Sequence, residues 1–123
     1  MDETLLALGL IGYPLGHSLS PQLHNAALKA MDIAGEYHLH PIPPLPEGRA
    51  DLDALLDRLV SGEIHGLNVT IPHKQTVIPL LDELTASARS IGAVNTIFLR
   101  DGKLTGHNTD APGFLGGLPL SRI

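Results

Sequence analysis

The 123-residue sequence predicts a three-layer α/β fold, in which a mixed, mainly parallel sheet carries helices on both faces. Strand and helix patterns alternate along most of the chain, which is typical of parallel βαβ units. Two strand patterns near the C-terminal end are joined by Asp101-Gly102, which is typical of an antiparallel hairpin. Hydrophobic residues make up 43% of the chain and aromatic residues only 3%, so the predicted core is aliphatic.

The N-terminal part of the chain predicts one strand and one helix. Residues 5–12 are apolar on both faces, as in a strand covered by helices, and a turn with glycine and proline follows at 13–17. Residues 21–31 repeat leucine and alanine at helical spacing. Ser20 occupies the N-cap position, and Pro21 takes the first helical position, where its missing N–H costs no hydrogen bond.

The middle of the chain predicts two more strands, each followed by a helix. A strand over 36–42 ends at a proline-rich loop, and a helix over 51–61 follows it. A third strand over 66–71 is cut by Pro72, and a short helix then reaches residue 78. The apolar face predicted for the 51–61 helix comprises Leu52, Leu55, Leu56, Leu59 and Val60.

The last third predicts a turn up to Leu84, a helix, the hairpin and a final short helix. Thr85 is placed to cap the first of these helices, and Asp110 the second. The hairpin strands are predicted over 94–100 and 103–108.

Charge and composition exclude several classes of function. Eight basic and 13 acidic residues give a net charge of −5, which disfavours binding to DNA or RNA. The absence of cysteine excludes a disulfide scaffold, a thiolate nucleophile and a cysteine-ligated zinc. No apolar run reaches the roughly 18 residues of a membrane-spanning helix, and no basic segment precedes the apolar start, so we expect a cytoplasmic protein.

Polar side chains cluster where the predicted strands end, which is where ligands bind in open α/β sheets. Ser18 and Ser20 flank a helix N-terminus that suits a carboxylate or a phosphate, although a turn serine and an N-cap explain the same residues. Lys74 and Asp110 each follow a strand and suit proton transfer to a carbonyl oxygen or from a hydroxyl. A solvated lysine and a capping aspartate explain that second pair equally well.

Three polar residues interrupt otherwise apolar strand segments: Asn68, Thr70 and Asn95. Buried asparagines need hydrogen-bond partners, so these residues either brace loops or bind a ligand hydroxyl. Seven histidines are present without a metal-ligand spacing, so we expect no metal site, and His73 and His107 would at most line the crevice. No glycine-rich dinucleotide or P-loop motif occurs, so we expect no nucleotide phosphate site of the usual kind.

Several motifs follow one another along the chain, and each of them is weakly informative alone. They are IGYP at 11–14 with HSLSP at 17–21, NVTIPHK at 68–74, IGAVNT at 91–96 and GHNTDAPGF at 106–114. Together, in this order and at these separations, they resemble the shikimate dehydrogenase family, and the resemblance covers residues 5–118.

The resemblance implies that residues 1–118 are the N-terminal substrate-binding domain of such an enzyme. Residues 119–123 would begin a linker to an NADP-binding Rossmann domain that this chain lacks, in agreement with the missing glycine motif. The implied reaction is the reversible NADPH-dependent reduction of 3-dehydroshikimate to shikimate, in the biosynthesis of chorismate and the aromatic amino acids. Without the cofactor domain, we expect the chain to bind substrate and to be inactive.

The resemblance also implies roles for individual residues. The two serines would hold the substrate carboxylate, and Lys74 with Asp110 would be the catalytic pair. Ring hydroxyls would be bound by Thr70, Asn95 and Asp110. No residue of this chain is expected to bind the cofactor or a metal. The full set of implied substrate-binding residues is Ser18, Ser20, Thr70, Lys74, Asn95 and Asp110.

Two other functions stay open alongside the first. A quinate or quinate/shikimate dehydrogenase would act on a substrate with one more hydroxyl group, although the two serines favour shikimate. A non-catalytic module that senses shikimate-like ligands would have no need of Lys74 and Asp110 as a proton-transfer pair. We expect a small-molecule substrate as the partner, neither nucleic acid nor membrane, and a monomer or a homodimer.

Overall fold

The computed structural model describes residues 6–15, 22, 25, 26, 29 and 35–109. The strands in these residues are β1 (Leu6–Gly12), β2 (Gly35–Pro41), β3 (Gly66–Val69), β4 (Glu83–Leu84), β5 (Thr96–Arg100) and β6 (Lys103–His107). The helices are α1 (Arg49–Val60), α2 (His73–Thr76) and α3 (Ala86–Ile91), with a 3-10 turn at Ile78–Leu80. Residues 22, 25, 26 and 29 are helical and fall within the helix predicted over 21–31.

The six strands form one sheet in the order β2-β1-β3-β5-β6-β4. The pairs β1–β2, β1–β3 and β4–β6 are parallel, whereas β3–β5 and β5–β6 are antiparallel. The predicted mixed, mainly parallel α/β sheet is therefore confirmed. The predicted hairpin is confirmed as well, because Asp101 and Gly102 adopt φ angles of 53° and 77°, the left-handed conformation that its tight turn requires.

The predicted helices α1 and α3 form with small changes at their ends. Four leucines of α1 are buried as predicted, but Val60 is 49% exposed, because the buried stripe at 52, 55, 56 and 59 leaves the last helical position facing solvent. Thr85 caps α3 as predicted, since its side chain accepts a hydrogen bond from the Ala88 N–H. Gly62 follows α1 with a φ of 88°, the left-handed conformation that favours glycine just after a helix.

The segment predicted as a turn up to Leu84 differs from the structure. It contains the 3-10 turn and the strand β4, whose Glu83 and Leu84 pair with Thr105 and Gly106 of β6. A two-residue strand has no periodicity of its own, so only its pairing with a distant strand reveals it.

The two faces of the sheet carry different cores. Adjacent residues of a strand point to opposite faces, so Leu10 and Ile11 of β1 belong to different clusters. Ile11 packs with the α1 leucines and with buried residues of β3 and β5, and we call this side the aliphatic face. Leu10 packs with Leu15 and Tyr37, and we call this side the tyrosine face. Within the residues described, no helix is both long and apolar enough to cross a membrane.

Candidate functional site

The candidate site begins where β3 ends. The Thr70 N–H donates to the Ile11 carbonyl at 2.8 Å, which extends the pairing of β1 and β3 by one residue beyond the strand. Pro72 cannot donate a ladder hydrogen bond, so the strand stops and the chain turns into α2. Thr70 is half-buried, and its methyl group fills the space in front of Gly12, where a Cβ would collide with it.

Lys74 lies on the single turn of α2, directly after this strand end. It is half-buried, and its carbonyl accepts a hydrogen bond from the Val94 N–H at 2.8 Å. This bond joins the lysine-bearing turn to the segment that precedes β5. Lys74 also lines a cavity of about 300 Å³, together with Ile71, Pro72, Gln75, Thr76 and Ala93.

Asn95 is anchored to the same strand end through its main chain and its side chain. Its carbonyl accepts a hydrogen bond from the Val69 N–H at 2.9 Å. Its side-chain Nδ2 donates to the Thr109 hydroxyl at 2.8 Å, and its Oδ1 accepts from the Thr109 N–H at 3.2 Å and from the Thr96 hydroxyl at 3.0 Å. The amide of Asn95 therefore fixes the chain that leaves β6 against the start of β5.

The structure thus brings three of the predicted site residues to one end of the sheet. Thr70, Lys74 and Asn95 follow β3 or precede β5, and main-chain hydrogen bonds hold these segments together. The other three, Ser18, Ser20 and Asp110, lie outside the described residues. Their positions, and the geometry of the Lys74–Asp110 pair, therefore stay predictions.

Asn68 makes bracing contacts in the structure. Its Oδ1 accepts a hydrogen bond from the Tyr37 hydroxyl at 3.0 Å, and its Nδ2 donates to the Asn95 carbonyl at 3.5 Å. Sequence reasoning missed Tyr37 as a partner of this site. A signal was present, because Tyr37 alternates with the polar residues Glu36 and His38, which predicts an inward-facing tyrosine whose hydroxyl needs a partner.

The two histidines expected near the crevice are held by hydrogen bonds to other residues of the fold. His73 is fully buried, with its Nε2 at 2.6 Å from the Ile42 carbonyl and its Nδ1 at 3.0 Å from the Thr76 hydroxyl. The idea that His73 lines the crevice is therefore wrong, since the residue is fully buried and has no surface open to a crevice. His107 is half-buried, and its Nδ1 lies 2.8 Å from the Thr85 hydroxyl at the start of α3.

The described residues contain no cluster of metal ligands, and the strand end at Gly12 leaves no room for a dinucleotide phosphate. In this part of the chain no group of three or more His, Asp or Glu side chains is arranged to hold a metal ion. A dinucleotide pyrophosphate needs open space in front of a glycine at the end of a strand. The space at Gly12, the last residue of β1, is filled by the side chains of Thr70 and Leu15, so this strand end does not fit the cofactor phosphates.

Comparison with known proteins gives shikimate dehydrogenases among the relatives that cover most of this chain. The shikimate dehydrogenase (NADP(+)) of Synechocystis is 53% identical over 112 residues, which cover 90% of this chain and 37% of that protein. A shikimate dehydrogenase from Thermus thermophilus, solved in complex with NADP(H) and shikimate, has a TM-score of 0.70 and 38% identity. That similarity covers 94% of this chain and 44% of the Thermus chain.

The same architecture also occurs in an enzyme named for a different reaction. A 5-ketofructose reductase of Gluconobacter has a TM-score of 0.78 and 30% identity, covering 94% of this chain and 40% of that one. The chain spans less than half the length of these relatives. The family model described as the shikimate dehydrogenase substrate-binding domain matches residues 10–97, which is more than half of the chain, and the protein belongs to this family.

Proposed function

We propose that this chain is the substrate-binding part of an NADP-dependent shikimate dehydrogenase and that it binds shikimate and 3-dehydroshikimate. The convergence of Thr70, Lys74 and Asn95 at the carboxyl end of β3 supports this proposal most directly. Shikimate is a small ring with one carboxylate and three hydroxyls. Such a ligand requires several fixed hydroxyl and amide groups in one cleft, together with a cationic or N–H-rich end.

Lys74 and Asp110 form the proposed catalytic pair. In the complete enzyme NADPH would supply hydride to the ring carbonyl carbon, and the lysine ammonium donates a proton to the carbonyl oxygen. In the reverse direction NADP would take up the hydride while the neutral amine accepts the hydroxyl proton. The carboxylate of Asp110 orients the ammonium and binds the neighbouring hydroxyl. Its place in the chain supports this role, since Asp110 follows Thr109, which the Asn95 amide holds through both main chain and hydroxyl.

The remaining substrate contacts divide between the two ends of the proposed cleft. Thr70 and Asn95 bind ring hydroxyls. Ser18 and Ser20 hold the substrate carboxylate at the start of the helix predicted over 21–31, where free N–H groups and the helix dipole favour an anion.

The cofactor belongs, in this proposal, to a part of the enzyme outside this chain. The relatives that carry NADP in their name are more than twice as long as the segment they share with this chain. We infer that residues 1–118 form the substrate domain and that residues 119–123 begin the linker to a Rossmann domain, in an enzyme that works in the cytoplasm. The isolated chain then binds shikimate without oxidising it.

A titration of the purified 123-residue chain with shikimate tests the binding. We expect saturable shifts of the backbone amide resonances of Thr70 and Asn95, and weaker binding of quinate. 5-Ketofructose serves as the second comparison ligand, because one structural relative is named for that substrate. Absence of saturable binding of shikimate, or tighter binding of either comparison ligand, would contradict the proposed substrate.

Turnover is tested separately from binding. The chain alone should give no NADP-dependent oxidation of shikimate in a spectrophotometric assay, and a robust rate would refute the division between two domains. In an enzyme completed by its cofactor domain, Lys74→Ala should lower kcat by about 10²–10⁴-fold and leave shikimate binding within a few fold. Lys103→Ala, at an exposed position of β6, is the matched control. A change in affinity without a loss of kcat would favour the ligand-sensing module.

A further inference from the structure

Tyr37 is a buried tyrosine whose hydroxyl reaches across the sheet. Its side chain packs with Leu10 and Leu15 on the tyrosine face, and only 3% of the residue is exposed. Burial raises the pKa of the Tyr37 phenol above its ordinary value, so the hydroxyl keeps its proton at neutral pH. The protonated hydroxyl donates a hydrogen bond to the Asn68 Oδ1 at 3.0 Å.

This hydrogen bond and the nearby Asn95 carbonyl, which can only accept, together orient the Asn68 amide. With its oxygen facing the phenol, its Nδ2 faces the Asn95 carbonyl at 3.5 Å. The same carbonyl also accepts the Val69 N–H at 2.9 Å. Two donors from β3 thus hold the main chain of Asn95, the residue whose side chain binds Thr109 next to the proposed catalytic aspartate.

The main chain of Tyr37 is held from the opposite direction. Its N–H donates to the Asn25 Oδ1 at 3.0 Å, and its carbonyl accepts from the Asn25 Nδ2 at 3.3 Å. A neighbouring strand would satisfy both groups in the same way, so the asparagine amide takes the place of a strand at the outer edge of β2. Asn25 is helical and follows Ser18 and Ser20 in the sequence by only a few residues.

We propose that Tyr37 is a positioning residue for the end of the substrate cleft that carries Asn95. Its main chain is anchored by Asn25, and its hydroxyl fixes, through Asn68, the segment that carries Asn95. The proposal rests on the proposed function, because it assumes that Asn95 binds the substrate. Tyr37 itself is buried and touches no substrate in this assignment.

The test compares Tyr37→Phe with the wild-type 123-residue chain, using shikimate as the probe. The substitution keeps the ring and removes only the hydroxyl. We expect the side-chain amide resonances of Asn68 and Asn95 to shift in the ligand-free protein and the shikimate Kd to rise about 5- to 10-fold, the effect of one lost hydrogen bond. Tyr13→Phe, the same change at a tyrosine that is 44% exposed, should alter neither quantity.

A double substitution separates positioning from a general loss of stability. In an Asn95→Ala background, Tyr37→Phe should raise the Kd less than twofold further, because the substrate-binding side chain that Tyr37 positions is already gone. Multiplicative effects of the two substitutions, or unshifted Asn95 resonances in Tyr37→Phe, would overturn the proposal. Failure of the wild-type chain to bind shikimate would instead overturn the proposed function, while the amide resonances would still report whether Tyr37 holds Asn95.

Discussion

The two faces of the sheet are built on different principles. The aliphatic face joins fourteen buried residues in one cluster, all of them Ile, Leu, Val or Ala. The tyrosine face has three buried residues in its cluster, and its tyrosine is bonded to two asparagines. Burial of apolar surface is non-directional, whereas a hydrogen bond fixes both distance and orientation.

This difference separates stability from positioning. The α1 leucines contribute burial energy without setting any particular side-chain geometry at the carboxyl end of β3. The bonds of Tyr37 add little net energy, since each replaces a hydrogen bond with water, but they orient the segments that carry the proposed substrate contacts. Substitutions on the two faces should therefore have separable effects.

The largest effect on stability is expected from Leu59→Ala on the aliphatic face. Leu59 is only 1% exposed, so the substitution leaves a cavity and should lower the free energy of unfolding by about 3 kcal/mol. Urea denaturation measures this loss, and the shikimate Kd of the remaining folded protein should be unchanged. Val60→Ala, at the exposed neighbouring position, should cost less than about 1 kcal/mol. A higher shikimate Kd in Leu59→Ala would show that the two faces are coupled.

A smaller effect on stability is expected from Asn25→Ala at the edge of the tyrosine face. Removing the amide deletes two hydrogen bonds and should lower the free energy of unfolding by about 1–2 kcal/mol. It also exposes the N–H and carbonyl of Tyr37 on the β2 edge, so analytical ultracentrifugation should detect more self-association. Lys29→Ala, at another exposed helical position, is the control. A strictly unchanged association state would show that the Asn25 amide does not protect this edge.

Features that depend on neighbours in the sequence could be predicted from it. The leucine spacing of α1, the Thr85 cap and the left-handed Asp101-Gly102 turn each follow from a few adjacent residues. The strand end next to Thr70 could be predicted to within two residues, because Pro72 indicates a strand up to residue 71, whereas β3 ends at Val69.

Features that depend on strand register could not be predicted in the same way. The hydrogen bond between Tyr37 and Asn68 joins residues 31 positions apart, and it exists only because both β2 and β3 pair with β1. The burial of His73 depends likewise on the distant Ile42 carbonyl. In both cases the polar residue was visible in the sequence, but its partner was set by the order of the strands.

The smallest effect is expected from His40 of β2, and it is a pH dependence of the free energy of unfolding. The ring of His40 lies over Gly9, and burial, with the nearby Arg58 and His38, lowers the His40 pKa below its ordinary value. His40 therefore binds a proton more readily in the unfolded chain than in the folded one. The contribution of His40 to stability is complete above the ordinary histidine pKa of about 6.5 and is lost as the pH falls through the lowered value.

Urea denaturation at a series of pH values from about 7.5 to about 5 measures this dependence. The free energy of unfolding should decrease toward acid pH in the wild type and decrease less steeply in His40→Gln. His38→Gln, at an exposed position of the same strand, should give a slope closer to the wild-type slope than His40→Gln does. Equal slopes in the wild type and in His40→Gln would mean that folding does not lower the pKa of His40. The pH dependence of the free energy of unfolding would then come from other groups.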